Sequence, residues 1–367
     1  MSSRILLKNK LLFLATTIYL IAPIVSCVHL GPTTLKSDRN NYNLAIQKTN
    51  DQQLLLNLTR LKYRDTPFFM EVGSVASQFI LNSTVDAKTT LQKGVYGLFN
   101  FGGSLGMTEK PTVTYSPLKG ERFIQRVLSP LSLKTVVLLF HSGWSIERII
   151  RLCFQQLNNL KNAPGASGPT PNIAPDFKKF ALAVKFLRNL QVQDALNISY
   201  QEINGSPKLI LHISEDHKNS QDAKQFALSV NVEPGKTHYT LIFSPDPNKN
   251  NQIKVATRSL LGIMFYLSQS VEVPNQDILQ GKVTQTKTKE GNIFNWREMT
   301  GDVLRIRSIS EKPQESFVEI FYRDAWFYIH DSDLSSKSTF ALLGQIFSLQ
   351  AGKIEDNAPF LTLPIGQ

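Results

Sequence analysis

Between residues 162 and 176 the chain carries four prolines (Pro164, Pro169, Pro171, Pro175) and two glycines (Gly165, Gly168), with no charge before Asp176. Proline fixes φ and removes a backbone donor, so a segment of this kind neither continues a helix nor serves as a central strand. It is expected as a linker that separates a domain over 42–161 from everything that begins at residue 177. The 367 residues are 42% hydrophobic, enough apolar material for about two to three compact domains.

The first 26 residues have a basic start (Arg4, Lys8, Lys10), an apolar run from Leu11 to Val25, and the small Ser26 just before Cys27, the layout of a secretory signal peptide. A retained membrane span is the competing reading, but a span needs roughly 20 apolar residues. This run has about 15 and is interrupted by Thr16, Thr17 and Pro23. The second cysteine, Cys153, has no partner if Cys27 is consumed, so a disulfide scaffold is excluded. Residues 27–41 are polar around Gly31 and Pro32 and are expected as a tether reaching at most about 50 Å. The formal charge is +11, and beyond the leader it is still +8. Those basic residues are spread along the chain, so they read as solvating and nucleic-acid binding is set aside.

In the first domain, Leu44, Leu54, Leu55, Leu58 and Leu61 recur at helical spacing up to Pro67. Residues 68–81, 95–101 and 112–115 read as strands, with Gly94, Gly97, Gly102, Gly103 and Gly106 marking turns. Residues 121–128, 133–140 and 146–160 read as helices. Beyond the linker, residues 177–196 form an amphipathic helix with Phe180, Val184, Leu187 and Leu190 on one stripe.

An internal repeat is then expected. Leu260, Leu261, Gly262 and Phe265 match Leu342, Leu343, Gly344 and Phe347 at a constant offset of 82 residues. Three strand-like runs precede each helix: 208–213, 225–232 and 238–243 in the first copy, 303–309, 316–322 and 325–330 in the second. The expected architecture is α+β, a mixed N-terminal α/β domain followed by two β-β-β-α units with antiparallel sheets. The units occupy 177–271 (with the helix) and 302–352, joined by a connector over 272–301 and followed by a tail over 353–367.

Two resemblances bear on function. Ile24, Val25, Ser26 and Cys27 resemble the lipobox of bacterial lipoproteins, with Ile24 where Leu is usual. The resemblance implies that the Cys27 sulfur receives a diacylglyceryl group, that the leader is cut before it and that the new amine is acylated. Val28, rather than Asp, implies sorting to the outer membrane. Four segments, over 53–75, 109–131, 141–153 and 321–349, resemble an uncharacterised family of proteobacterial envelope lipoproteins. That resemblance implies a cell-envelope address and no catalytic residue.

Three constellations hold residue types that could carry chemistry. Gly102 to Gly106 fits G-x-S-x-G around Ser104, the nucleophile elbow of a serine hydrolase, but no helix follows it to supply backbone donors. A glycine-rich hairpin is the plainer reading. His212 and His217 bracket Glu215 and Asp216, a metal-ligand set that lacks a third convergent ligand and reads as a charged strand end. Asp331, Asp333 and Ser335 resemble the start of a calcium loop, but Ser336 stands where Gly is needed and Leu342 where Glu is needed, so they read as helix caps. No cofactor or metal site is read.

The expected function is a non-enzymatic, lipid-anchored subunit on the periplasmic side of the outer membrane, a structural or adaptor part of a larger envelope assembly such as a secretion machine. The alternatives are a serine hydrolase using Ser104, or a binder of an envelope polyanion such as lipopolysaccharide or peptidoglycan. Its membrane contact is the lipid on Cys27, and its other partners are envelope proteins. A two-residue turn at Arg323 and Asp324 would place Phe317, Glu319 and Phe321 across from Trp326, Tyr328 and His330. Phe317, Phe321, Trp326 and Tyr328 are the candidate interface, because large rings with polar handles suit a contact surface.

Overall fold

The computed structural model describes residues 30–89, 99–203, 205–245, 251–351 and 361–364, and the chain divides into two units, 1–50 and 51–367. Cys27 lies outside the described residues. Helix α1 (Leu30–Lys62) opens the description, so the expected tether over 27–41 is helical from Leu30 onward. Pro32 falls in the first turn, where its missing N–H costs no hydrogen bond. Leu44, expected on the buried stripe, is 66% exposed, whereas Leu54, Leu55, Leu58 and Leu61 are buried.

In the second unit, two amides one helical turn apart on α1 set the path of the chain that leaves it. Asn57 donates to the Phe68 carbonyl at 2.8 Å and accepts from the Phe68 N–H at 2.9 Å. Gln53 does the same for Met70, at 2.9 and 2.6 Å. Each side chain stands in for a neighbouring strand. From that point β1 (Met70–Thr89) and β2 (Phe99–Pro117) run as one long antiparallel hairpin. The expected turn at 102–106 is corrected: Gly102, Gly103 and Gly106 lie inside β2, paired with Asp86, Val85 and Asn82, while Gly94, Gly97 and the first part of the expected strand over 95–101 lie outside the described residues.

Helices α2 (Glu121–Leu128), α3 (Leu133–His141) and α4 (Ile146–Cys153) follow. The last was expected to continue to Leu160, but at Phe154 the backbone turns extended and forms β3 (Phe154–Leu157) and β4 (Leu160–Lys161). Helix α5 (Lys178–Val192) buries the predicted stripe of Phe180, Val184, Leu187 and Leu190. Next come β5 (Leu196–Ile203), β6 (Ser206–Ile213), α6 (Gln221–Ser229), β7 (His238–Ile242), β8 (Gln252–Thr257) and α7 (Leu260–Ser268). These strands join β3 and β4 in a six-stranded sheet of order β4-β3-β8-β7-β6-β5, in which β7 and β8 are parallel and the other pairs antiparallel.

Residues 225–232, expected as a strand, are therefore mostly helical. Ser220 accepts from the Ala223 N–H and caps α6, and Ala223, Phe226 and Ala227 bury at helical spacing while Leu228 is exposed. Short helices α8 (Asn275–Leu279) and α9 (Arg297–Thr300) lead to β9 (Arg307–Ile309), β10 (Ser316–Tyr322), β11 (Ala325–His330) and α10 (Leu334–Ala351). That last group is an antiparallel sheet of order β10-β11-β9 with a helix after it, the β-β-β-α unit expected there. The first copy has a helix between its strands and a parallel pair, so the repeat is not one of connectivity. The matching glycines also differ. A Cβ on Gly262 would meet Ser259, Arg258 and Ser167 at 3.3 to 3.5 Å, whereas one on Gly344 would meet nothing within 4 Å. Finally β12 (Leu361–Pro364) pairs with Thr112–Tyr115 of β2. The class is α+β, as expected.

The segment 162–176 is not a linker. Ala163, Ala166 and Thr170 are buried, and one hydrophobic cluster continues across it from Leu157 and Leu160 to Phe177 and Phe180. Its anchor is Arg258, which is fully buried. The guanidinium donates to the carbonyls of Arg151, Leu152 and Phe154 at 3.0, 3.1 and 2.7 Å, to the Asn162 carbonyl, and to Ser167 Oγ at 3.0 Å. Its flat face lies 4.2 Å from the Tyr266 ring centroid. The Arg151 and Leu152 carbonyls belong to the last turn of α4, which has no helical partner for them, and Asn162 Nδ2 shares the Arg151 and Phe154 carbonyls at 2.9 and 2.7 Å. Burial lowers the Arg258 pKa to about 10, which leaves it charged at neutral pH.

Candidate functional site

The β10–β11 hairpin has the turn the sequence implied. Arg323 and Asp324 both take positive φ (48° and 62°), the type I′ geometry whose twist matches a two-residue hairpin. Phe321 pairs with Trp326 and Glu319 with Tyr328. A register shift between Ser316 and Val318 places Ser316, rather than Phe317, opposite His330. Val318, Ile320, Phe327 and Ile329 are buried, as expected for the apolar face. Tyr63 covers part of it, edge-on to Phe327 at 6.2 Å.

The opposite face stays open. Phe321 is 57% exposed and Trp326 and Tyr328 are half-buried. The Phe321 and Trp326 rings sit 5.4 Å apart, and the Lys312 ammonium lies 5.6 Å from the Trp326 ring. Phe317 departs from this group: it packs edge-on against Phe340 of α10, and Lys337 lies over it at 5.1 Å. The candidate residues therefore divide into an open trio of Phe321, Trp326 and Tyr328, and a Phe317 tied to the helix.

The turn is held by groups the sequence reading missed. Asp65 accepts from Tyr322 OH at 2.5 Å and from Arg323 Nη2 at 2.9 Å, and the Arg323 guanidinium lies 4.9 Å from the Tyr63 ring. Burial works against the Asp65 charge, but the hydrogen bonds from Tyr322 and Arg323 outweigh it and hold the carboxyl below its ordinary pKa. Tyr63 OH in turn donates to Asp277 at 2.6 Å, and Lys282 pairs with the other Asp277 oxygen at 2.8 Å. Asp65 and Tyr322 are 257 positions apart, so no local pattern announces the pair.

The other candidates do not assemble. Ser104 lies in mid-strand opposite Thr84, with no helix start beside it, so the elbow geometry is absent. His212 pairs across strands with His238, their rings 4.6 Å apart, and Ser199 Oγ lies 2.9 Å from His212 Nε2. Burial and then His238 lower the His212 pKa. His217 instead contacts Ser214, and Glu215 pairs with Lys218. Among the described residues no three His, Cys, Asp or Glu side chains converge on a metal position. Asp333 caps α10 as expected, accepting from the Ser336 N–H at 3.0 Å, whereas Asp331 pairs with Lys337 at 2.7 Å and Ser335 donates to the Asp302 carbonyl at 2.7 Å, so neither of these caps the helix. Cys153 is buried and its thiol pushed up to about 12 by burial, which makes it inert as a nucleophile. Set beside known proteins, the chain matches no family model, no curated protein and no solved structure.

Proposed function

We propose that this protein is a lipid-anchored subunit of an envelope assembly, held to the outer membrane through Cys27 with its folded body facing the periplasm, and that it serves as a structural or adaptor part without an enzymatic role. The observation that carries the adaptor reading is the open aromatic face of Phe321, Trp326 and Tyr328 on a turn clamped by Asp65. A rigid, half-exposed aromatic cluster with a cation at its rim is the usual chemistry of a protein contact surface. The leader and the lipobox-like segment ending at Cys27 support the address. The test is photo-crosslinking in cells, with a benzophenone amino acid at Phe321 and, as control, at Leu182, an equally exposed residue on α5. A discrete adduct at position 321 and none at 182 supports the reading. Adducts of equal yield at both positions defeat it.

A further inference from the structure

The residues of the β1–β2 hairpin are sorted by parity along both strands. Along β2, the odd-numbered positions from Phe99 to Tyr115 carry no polar residue but Glu109, while the even-numbered positions from Asn100 to Ser116 carry no apolar side chain. Along β1, the odd positions from Val75 to Ala87 are apolar except Ser77 and Ser83, and the even positions from Ser74 to Lys88 are polar except Ala76 and Ile80. Leu81 stands opposite Met107, Val85 opposite Gly103 and Thr84 opposite Ser104, while Phe79 faces Glu109, Ile80 Thr108 and Ser83 Leu105. Nearer the body, Met70 and Val72 are even-numbered, but the register shift at Gly73 pairs them with Pro117 and Tyr115 and returns them to the apolar face. A bulge placed where the parity of the sequence changes keeps the mostly apolar positions on the same face on both sides of it.

Such a ribbon is out of place in water. Within the described residues the sheet order is β1-β2-β12, so β1 is an edge along its whole length and β2 is unpaired outward from Phe99 to Pro111. Soluble proteins shorten, charge or cover long edges of this kind. Alternation of apolar and polar positions over about 9–11 residues per strand is the pattern of a membrane-spanning β-strand. Residues 79–89 and 99–109 supply 11 positions on each strand, which at the usual tilt span about 28 Å. A lone ribbon cannot cross a bilayer, because its edge N–H and C=O groups have no partner in hydrocarbon. Further copies of the same ribbon satisfy them, since β1 of one copy and β2 of the next are antiparallel, as a closed barrel requires. Eight strands, the fewest seen in single-chain barrels, need four copies.

We infer that copies of this chain assemble into a ring whose β1–β2 hairpins close a transmembrane β-barrel, with the odd-numbered positions of residues 79–87 and 99–107 facing lipid and the even-numbered ones lining the lumen. The assembly extends the envelope reading but does not depend on the Cys27 lipid, and the two are separable in one experiment. The full-length chain carrying Cys27→Ser, in which the remaining Cys153 is buried, receives single reporter thiols at Leu105, Met107, Ser104 or Thr108, each labelled with a nitrobenzoxadiazole dye. The variants are mixed with phosphatidylethanolamine/phosphatidylglycerol vesicles. Labels at 105 and 107 should brighten several-fold and be quenched by nitroxide lipids, while those at 104 and 108 should be quenched by aqueous iodide. Unlabelled wild-type chain in the same vesicles should crosslink to a single closed oligomer of four or more copies. Leu105→Asp should abolish that oligomer in vesicles, and Ser104→Asp should preserve it. Iodide quenching at all four positions, or alternation with only monomer crosslinked, overturns the barrel whatever the fate of the lipid anchor.

Discussion

Arg258 donates to the main-chain carbonyl of Phe154 at 2.7 Å, and that contact marks where helix α4 gives way to β3. The same guanidinium holds the Asn162 carbonyl and Ser167, so one side chain just before α7 joins a helix end, the start of β3 and the Pro/Gly turn.

Replacing Arg258 takes a donor from four buried carbonyls, of which those of Arg151 and Phe154 keep Asn162 Nδ2 while those of Leu152 and Asn162 lose their side-chain donor. Each unsatisfied buried group costs about 1–3 kcal/mol, so Arg258→Met should lose about 2–6 kcal/mol in a denaturant titration. Arg258→Lys should fail to restore it, because an ammonium cannot span the same fork of acceptors. Recovery of wild-type stability by Lys would show that charge alone matters at this position.

Lys62 is buried, its ammonium 3.2 Å from Gln269 Oε1, and burial lowers its pKa from 10.5 to about 8. Between those values the unfolded chain holds a proton that the folded chain has lost, so this residue makes stability rise with pH over that window. Lys62→Met should therefore be more stable than wild type at pH 7, by about 1–3 kcal/mol. The difference should shrink as pH climbs toward 10.5. A pH-independent difference in paired chemical melts would contradict the assignment.

The two faces of the β10–β11 hairpin should respond differently to truncation. Phe327 is fully buried, and Phe327→Ala should cost about 3–5 kcal/mol. Trp326 is half-buried on the open face, so Trp326→Ala should shift the thermal midpoint little while removing the crosslinked adduct at Phe321. A Trp326 variant that unfolds would place that ring in the core.

Anchoring should depend on the Cys27 sulfur. A fatty-acid analogue should label the wild type and spare Cys27→Ser, which should leave the lipoprotein fraction. A serine variant that is still labelled would rule out the lipid on this residue.

Where local periodicity and turn chemistry decide structure, the chain is legible from its residues alone. The period of two over 318–329 with Arg323 and Asp324 between, the helical stripe from Phe180 to Leu190, and the Asp333 cap all stand as the residues imply. Even the sorting of the β1–β2 hairpin is written in the order of its residues, although its register depends on a bulge at Gly73 that pairing alone discloses. The failures share one cause. Phe226, Leu228, Val230 and Val232 satisfy a strand period as well as Ala223, Phe226 and Ala227 satisfy a helical one; the segment folds as a helix capped by Ser220, which buries the second set and leaves Leu228 exposed. The role of residues 162–176 was set by Arg258, about a hundred positions downstream, and the clamp on the candidate site by Asp65, 257 positions from Tyr322. Local sequence determines which conformations a segment can adopt cheaply. Which carbonyls, edges and charges find distant partners is decided only when the chain closes on itself, because a buried polar group is stable solely where its partner arrives.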